Sequence, residues 1–224
     1  MALKLKYYYD IMSQPSRALL IFLNVAKIPY ENCPVALRKG EQFDDEYKSI
    51  NRFQKVPCII HNDFKLSESV AIFRYLMREY KIPDHWYPKD SKVRAKVDEY
   101  LEWQHINTRL ACARYFQAIW LKPKMGQTVS ENEVNESKFY MEYVLDLFEN
   151  IWLQDGNKFI TGNEITVADL LAACEIEQTK VTGYNACEGR PKLQKYLETV
   201  RAETNPFYDE AHKLIYKLTP KSKL

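Results

Sequence analysis

Ser13 stands where a hydroxyl could face a ligand. It lies in the stretch Asp10-Ile-Met-Ser-Gln-Pro-Ser-Arg17, which carries the chain from a predicted strand into a predicted helix. The carboxyl end of a strand meets the amino end of a helix there, and the unpaired amides of a helix start favour an anion. The same serine could simply cap the helix, since Ser is among the residues most favoured at that position. Pro15 bears on the choice. If it is the first helical residue, Gln14 is the cap and Ser13 lies one residue outside it.

Two further clusters carry chemistry. In Asn51-Arg-Phe-Gln-Lys-Val-Pro57 a proline opens a strand, where its missing amide costs little. The alternative is a cis Val56-Pro57 bond that turns the Val56 amide and carbonyl outward, ready to pair with a peptide backbone. In Leu66-Ser-Glu-Ser-Val70 a carboxylate and two hydroxyls open a helix. That pattern serves a charged first turn, or a clamp in which Ser69 and its amide hold a carboxylate while Glu68 pairs with an ammonium group.

The elements that position these groups follow from periodicity. Leu3 to Tyr9 alternates as a strand, and Ala18, Leu19, Phe22, Leu23 and Ala26 recur at helical spacing up to Pro29. Tyr30 to Leu37 reads as a second strand, Arg38 to Asn51 as a loop with a short helix, and Val56 to Ile60 as a third strand. A turn at His61-Asn-Asp63 leads to a short strand at Phe64 to Leu66, after which Ser67 is expected to cap a helix striped by Val70, Ile72, Phe73, Leu76 and Met77. A βαβ unit followed by ββα implies one mixed sheet, parallel first and antiparallel second. Residues 82–89, with Pro83 and Pro88, match no period and read as a linker.

Beyond the linker only helical patterns remain, such as Val93, Val97, Tyr100 and Leu101, and Val134, Met141, Val144, Leu145 and Phe148. Ser130 with Glu133 and Thr166 with Asp169 have the spacing of capping boxes, and Ile165 and Leu170 that of a staple. Asn205-Pro206 reads as a cap followed by a first helical residue.

Composition narrows the class. The 32 basic and 30 acidic residues nearly cancel, which gives no reason to expect nucleic acid as a partner. No stretch approaches the length of a membrane span, so no membrane insertion is expected. Cys33, Cys58, Cys112, Cys174 and Cys187 are odd in number and contain no C-x-x-C pair. They read as buried structural thiols rather than a disulfide framework or zinc site.

Taken in order, Ser-Gln-Pro-Ser-Arg, Lys-Val-Pro, Ser-Glu-Ser-Val-Ala-Ile, Trp86-Tyr-Pro, Val97-Asp-Glu-Tyr-Leu, Thr166-Val-Ala-Asp-Leu and Gly189-Arg-Pro-Lys-Leu resemble the glutathione transferases, specifically the theta class, over nearly the whole chain. The resemblance implies an α/β thioredoxin-like N-terminal domain (1–81), a linker (82–89) and an all-helical domain (90–224) carrying the electrophile pocket. It implies reduced glutathione as co-substrate with no other cofactor, small hydrophobic electrophiles as second substrates, a homodimer, a cytoplasmic location and a peroxidase side activity. By the same resemblance Ser13 donates its hydroxyl to the glutathione sulfur, Val56 pairs its backbone with the cysteinyl unit, Pro57 belongs to the glutathione site beside it, Glu68 and Ser69 take the γ-glutamyl end, and Lys55 lies near the tripeptide. Met12 and Arg109 fall in the electrophile pocket, although Arg109 also suits a solvated helix charge. A free thiol is mostly protonated at neutral pH, so a donor to its anion raises the nucleophilic fraction.

Two departures stand out. Gln42 takes the loop position where theta enzymes often carry His beside the glycyl carboxylate, and it supplies a donor without charge. The chain ends at Leu224, short of the segment that covers the site in vertebrate theta enzymes, so a more open pocket is expected. A non-catalytic transferase-like interaction module is the competing reading. A dithiol oxidoreductase is disfavoured because Met12 and Ser13 stand where its cysteine would be. Tyr7, Tyr8 and Tyr9 are rival activators, since other transferase classes use a tyrosine of the first strand. The last three residues, Ser222-Lys223-Leu224, match a peroxisomal address.

Overall fold

The computed structural model describes residues 5–153 and 156–220. The address tripeptide lies outside them. Strands β1 (Leu5–Tyr9), β2 (Glu31–Pro34), β3 (Cys58–His61) and β4 (Phe64–Ser67) form one sheet in the order β2-β1-β3-β4. β1 pairs parallel with β2 and antiparallel with β3, which pairs antiparallel with β4. That is the mixed sheet expected from a βαβ unit followed by a hairpin.

Helices α1 (Gln14–Val25), α2 (Asp45–Ile50) and α3 (Ser69–Glu79) complete this half of the chain. Leu5 and Tyr7 point from β1 into the core, and the Tyr7 hydroxyl donates to the Ser16 carbonyl at 2.6 Å. β2 is shorter than predicted, because the chain leaves the sheet after Pro34 and winds into tight turns at Leu37–Lys39 and Glu41–Phe43.

Three predicted caps differ. Gln14 is the first residue of α1 and Ser13 occupies its cap position, because Pro15 fits the second helical position as well as the first, both amides being unpaired anyway. Ser67 is held in β4 opposite Cys58, so Glu68 must turn the chain alone, and it does so at φ +70° with no side-chain cap. Pro206, not Asn205, sits at the cap of α10 (Phe207–Leu218), while the Asn205 side chain accepts from the Asp209 amide at 3.2 Å.

In the helical half, α4 (Ser91–Trp103), α5 (Thr108–Phe116), α6 (Lys122–Lys124) and α7 (Glu131–Leu147) precede α8 (Val167–Glu177), α9 (Pro191–Thr204) and α10. Ser130 accepts from the Glu133 amide as expected of a cap. Among the described residues no helix is long and apolar enough to cross a membrane. The cysteines are only partly as expected: Cys58, Cys112 and Cys174 are buried, whereas Cys33 and Cys187 are half-buried because they sit on an outer strand and in a surface turn.

Helix α8 is buried along its whole length and packs on α1, α5 and α9. A helix enclosed on all sides cannot send its polar ends to water. Asp169 therefore serves four donors: Oδ2 accepts from the Thr166 amide (2.8 Å) and hydroxyl (3.0 Å), and Oδ1 from the Ile160 amide (2.9 Å) and the Tyr196 hydroxyl (3.2 Å). Thr166 in turn accepts from the Ala168 amide, completing the capping box. Replacing Asp169 with Ala strands two buried amides. The variant should lose about 3 kcal/mol or more of unfolding free energy in urea titrations, and a loss under about 1 kcal/mol would contradict this account.

Candidate functional site

The register of the sheet gathers the candidate residues at one edge. β1 ends there at Tyr9, opposite the start of β3, because Tyr8 pairs with Cys58. β4 ends there too, since Cys58 also pairs with Ser67, and so does β2, whose Pro34 lies beside Tyr9. Ser13 follows β1, Lys55-Val56-Pro57 precedes β3, Glu68-Ser69 follows β4, and Gln42 lies in the turns after β2. Segments that are far apart in sequence, from Ser13 to Ser69, thus share one rim.

Ser13 has extended backbone geometry and its side chain makes no capping bond. Its hydroxyl stays partly exposed beside the amino end of α1, whose first turn holds no acidic residue. Asp10 builds the turn. It accepts from the Met12 amide at 2.7 Å and the Leu37 amide at 3.0 Å, and its carbonyl accepts from the Ser13 amide at 2.9 Å. An Asp bonding an amide two residues on is a common turn signature, so Asp10 was available to a sequence reading that did not single it out.

The Val56-Pro57 bond is cis, and among the described residues no hydrogen bond takes up the Val56 amide or carbonyl. The carbonyl before it is clamped: Lys55 O accepts from the Tyr47 hydroxyl and from Asn51 Nδ2, each at 2.7 Å. Tyr47 and Asn51 are both buried, and neither was a sequence candidate because a tyrosine on a short helix reads as core. Glu68 is exposed at φ +70°, whereas Ser69, the first residue of α3, is buried. A non-glycine residue held at positive φ is costly, and such residues concentrate at binding sites. Gln42 is half-buried, and its Oε1 has no hydrogen-bond partner among the described residues.

The rival tyrosines are engaged elsewhere. The Tyr7 hydroxyl is spent on Ser16, and that of Tyr9 reaches Asn32 at 3.3 Å. Burial pushes the Tyr8 hydroxyl up to about 12. Tyr8 lies on the other face of the sheet, where with Val35, Asp44 and Tyr47 it lines a cavity of about 200 Å³ that excludes Ser13, Val56 and Glu68.

Met12 packs against Phe116, Val181 and Ile215, with Trp120 and Leu218 at the margin of the cluster. It brings the Ser13 turn onto an apolar surface built by the helical half. Arg109 lies two turns before Phe116 on α5, and its Nε is 3.8 Å from the Glu175 carboxylate of α8. It is therefore tied to a buried acid and is not a freely solvated charge.

Arg17 is the largest omission. A charge one residue before an apolar stripe looks solvated in sequence, yet its side chain is wholly buried. Nη1 donates to the Ile11 carbonyl at 2.8 Å and Nη2 to the Cys174 carbonyl at 2.9 Å, joining the Ser13 turn to α8. Burial lifts the Glu175 carboxyl to about 7, against the pull of Arg109 and Arg17.

Family models described as "Glutathione S-transferase, N-terminal domain" and "Glutathione S-transferase, C-terminal domain" match residues 3–78 and 111–203. Glutathione S-transferase theta-1 of Bos taurus is 41% identical over 218 residues, which cover 95% of this chain and 89% of the relative. Human glutathione S-transferase T1-1 in its apo form superposes with a TM-score of 0.91 at 39% identity, covering 96% of this chain and 90% of that one. A human theta-class glutathione transferase in complex with the glutathione conjugate of 1-menaphthyl sulfate gives a TM-score of 0.92 at 37% identity, covering 98% and 89%.

Glu175 generates a test of the interior independent of any ligand. Its acid is weaker in the fold than in the unfolded chain, so the stability it confers is complete below about 4.5 and is lost as pH rises through about 7. Wild type should lose up to about 3 kcal/mol relative to Glu175→Gln between pH 5 and 8 in urea titrations. Parallel curves for the two proteins would show that the carboxyl titrates normally.

Proposed function

Since this chain belongs to the glutathione S-transferases, among the theta-class members, we propose that it joins the thiolate of reduced glutathione to small hydrophobic electrophiles with Ser13 as the thiolate's hydrogen-bond donor. One observation carries the reading. The Ser13 hydroxyl sits at a helix amino end without serving as its cap, on the same rim as the unpaired backbone of Val56. A hydroxyl left free where helix amides converge suits an anion, and an unpaired amide and carbonyl suit the backbone of a peptide.

The tripeptide then runs along the rim. Its sulfur faces Ser13 and its cysteinyl backbone pairs with Val56 beside Pro57. Its γ-glutamyl carboxylate is taken by the Ser69 hydroxyl and amide at the start of α3, and its ammonium by Glu68. Its glycyl carboxylate lies toward Gln42 and Lys55. Solved theta-class relatives hold glutathione and a glutathione conjugate, and the residues assigned here occupy one sheet edge in this chain. The hydroxyl donates to the sulfur anion and lowers the thiol's pKa, so that more thiolate is present at neutral pH. The thiolate then attacks the electrophilic carbon and the leaving group departs with the bonding pair.

The electrophile is received by the apolar surface of Met12, Phe116 and Trp120, with Arg109 as its cationic margin. Assembly as a homodimer belongs to the same reading: Ile106, Phe139 and Tyr143 leave exposed apolar side chains around α5 and α7 for a second copy to cover.

Ser13→Ala should lower kcat at least about tenfold and raise the pKa of enzyme-bound glutathione, read from thiolate absorbance, while Tyr8→Phe and Tyr9→Phe change kcat less than about twofold. The reverse ranking would remove Ser13 from its role. Gln42→His should tighten glutathione, and more so at pH 6 than at pH 8, because only the protonated imidazole adds charge beside a carboxylate. Equal affinity for glutathione in the variant and wild type at both pH values would place residue 42 out of reach of the ligand.

A further inference from the structure

We propose that Arg17 is a positioning residue for the thiolate chemistry: its buried guanidinium locks the turn that carries Ser13 and sets a positive charge behind the sulfur, with Glu175 as an opposing charge that limits this field. The proposal rests on the reading of Ser13 as the thiolate's donor and goes beyond it by naming what holds and polarises that donor.

The lock is geometric. Two successive peptide groups of the turn are held by three bonds: Ile11 O accepts from Arg17 Nη1 at 2.8 Å, Met12 N donates to the Asp10 carboxylate at 2.7 Å, and Ser13 N donates to Asp10 O at 2.9 Å. Arg17 N also donates to Ser13 O at 3.0 Å, so the same residue grips the turn on both sides of Met12. Its far arm is anchored to Cys174 O at 2.9 Å, in a helix buried on every side. The turn therefore cannot shift without moving the central helix or stranding a buried cation.

Arg17 keeps its charge through the bonds it makes. Both guanidinium hydrogen bonds go to carbonyl oxygens, which accept the protons without cancelling the charge. Arginine stays cationic even when burial disfavours its charge. The groups around it leave two carboxylates to oppose it, one on the turn and one on α8. On α10, His212 is held neutral, its pKa well below the ordinary value through burial and the nearby cations, and the Tyr208 hydroxyl is held protonated. On α8, burial holds the Cys174 thiol protonated, and Glu177 is joined to Lys180 at 2.7 Å. Asp10, on the turn itself, is the first, and the neutral amides of Met12 and Leu37 bond its carboxylate without cancelling a charge. Glu175 is the second: among the described residues no donor reaches its two buried oxygens, it lies 3.8 Å from Arg109 and in the field of Arg17, and burial leaves it ionised only as pH rises through about 7. The amino end of α1 adds its dipole to Arg17 with the same sign.

The two residues should act on the thiol in opposite directions, which a merely structural role would not produce. The experiment titrates thiolate absorbance of enzyme-bound glutathione in wild type, Ser13→Ala, Arg17→Met, Arg17→Lys and Glu175→Gln, with near-ultraviolet dichroism to verify the fold. Arg17→Met should raise the bound thiol's pKa by about 0.5 to 1 unit, Arg17→Lys should recover at least half of that rise, and Glu175→Gln should lower the pKa by less than about half a unit, because the carboxyl, lifted to about 7, is ionised over only the upper part of the titration. Glu175→Gln is nearly isosteric, so the test stands even if Arg17→Met does not fold. A Glu175→Gln value equal to or above wild type overturns the proposal, as does an Arg17→Lys value as high as that of a folded Arg17→Met. Ser13→Ala separates the two readings. If it raises the pKa while Glu175→Gln fails to lower it, only the role of Arg17 and Glu175 falls; if Ser13→Ala leaves the pKa unmoved, both fall.

Discussion

Helix α8 has no face toward water, and every polar group it carries presses on the rest of the chain for a partner. Asp169 collects donors from the turn before the helix and from α9, Cys174 O is answered by Arg17 from α1, Glu175 by Arg109 from α5, and Glu177 by Lys180. Because all of these but the Glu177–Lys180 pair come from separate elements, satisfying one helix fixes the sheet-bearing half and the helical half against each other. Wrong placement would leave buried charges or amides unpaired, at a cost of several kcal/mol each for the charges.

That constraint reaches the chemistry through a short path. The Ser13 turn is anchored on one side by Asp10, which bonds Met12 and the loop after β2, and on the other by Arg17, which bonds α8. Rigidity matters there because a hydrogen-bond donor helps a forming anion only if it already points at it. The segment facing Ser13 is built similarly, with two buried donors converging on Lys55 O just before the cis bond. In both places the exposed groups proposed to touch the ligand are held by buried groups that do not.

The same organisation separates what is rigid from what is adaptable. The rim that would read a tripeptide is made of backbone, turn residues and short side chains. The surface assigned to the electrophile is made of Met12, Phe116 and Trp120, apolar side chains with few directional demands. A thioether and flat rings accept varied shapes, which suits a site offered to diverse apolar partners.

Periodicity and turn chemistry in the sequence were enough to order the elements, to pair the strands as parallel first and antiparallel second, and to mark Ser13, Val56-Pro57 and Glu68-Ser69 as residues worth joining. These features are local, set by side-chain alternation, by proline and by capping propensity, so they survive without a third dimension. The structure alone decided which of the open readings held. Ser13 took the cap position without capping, Glu68 was forced to positive φ because β4 pairing retained Ser67, and Arg109 found a buried acid. Arg17, Tyr47 and Asn51 were illegible because their importance lies in carbonyl groups that folding brings to them. A backbone oxygen has no signature in sequence, and Cys174, whose oxygen Arg17 holds, is 157 residues away.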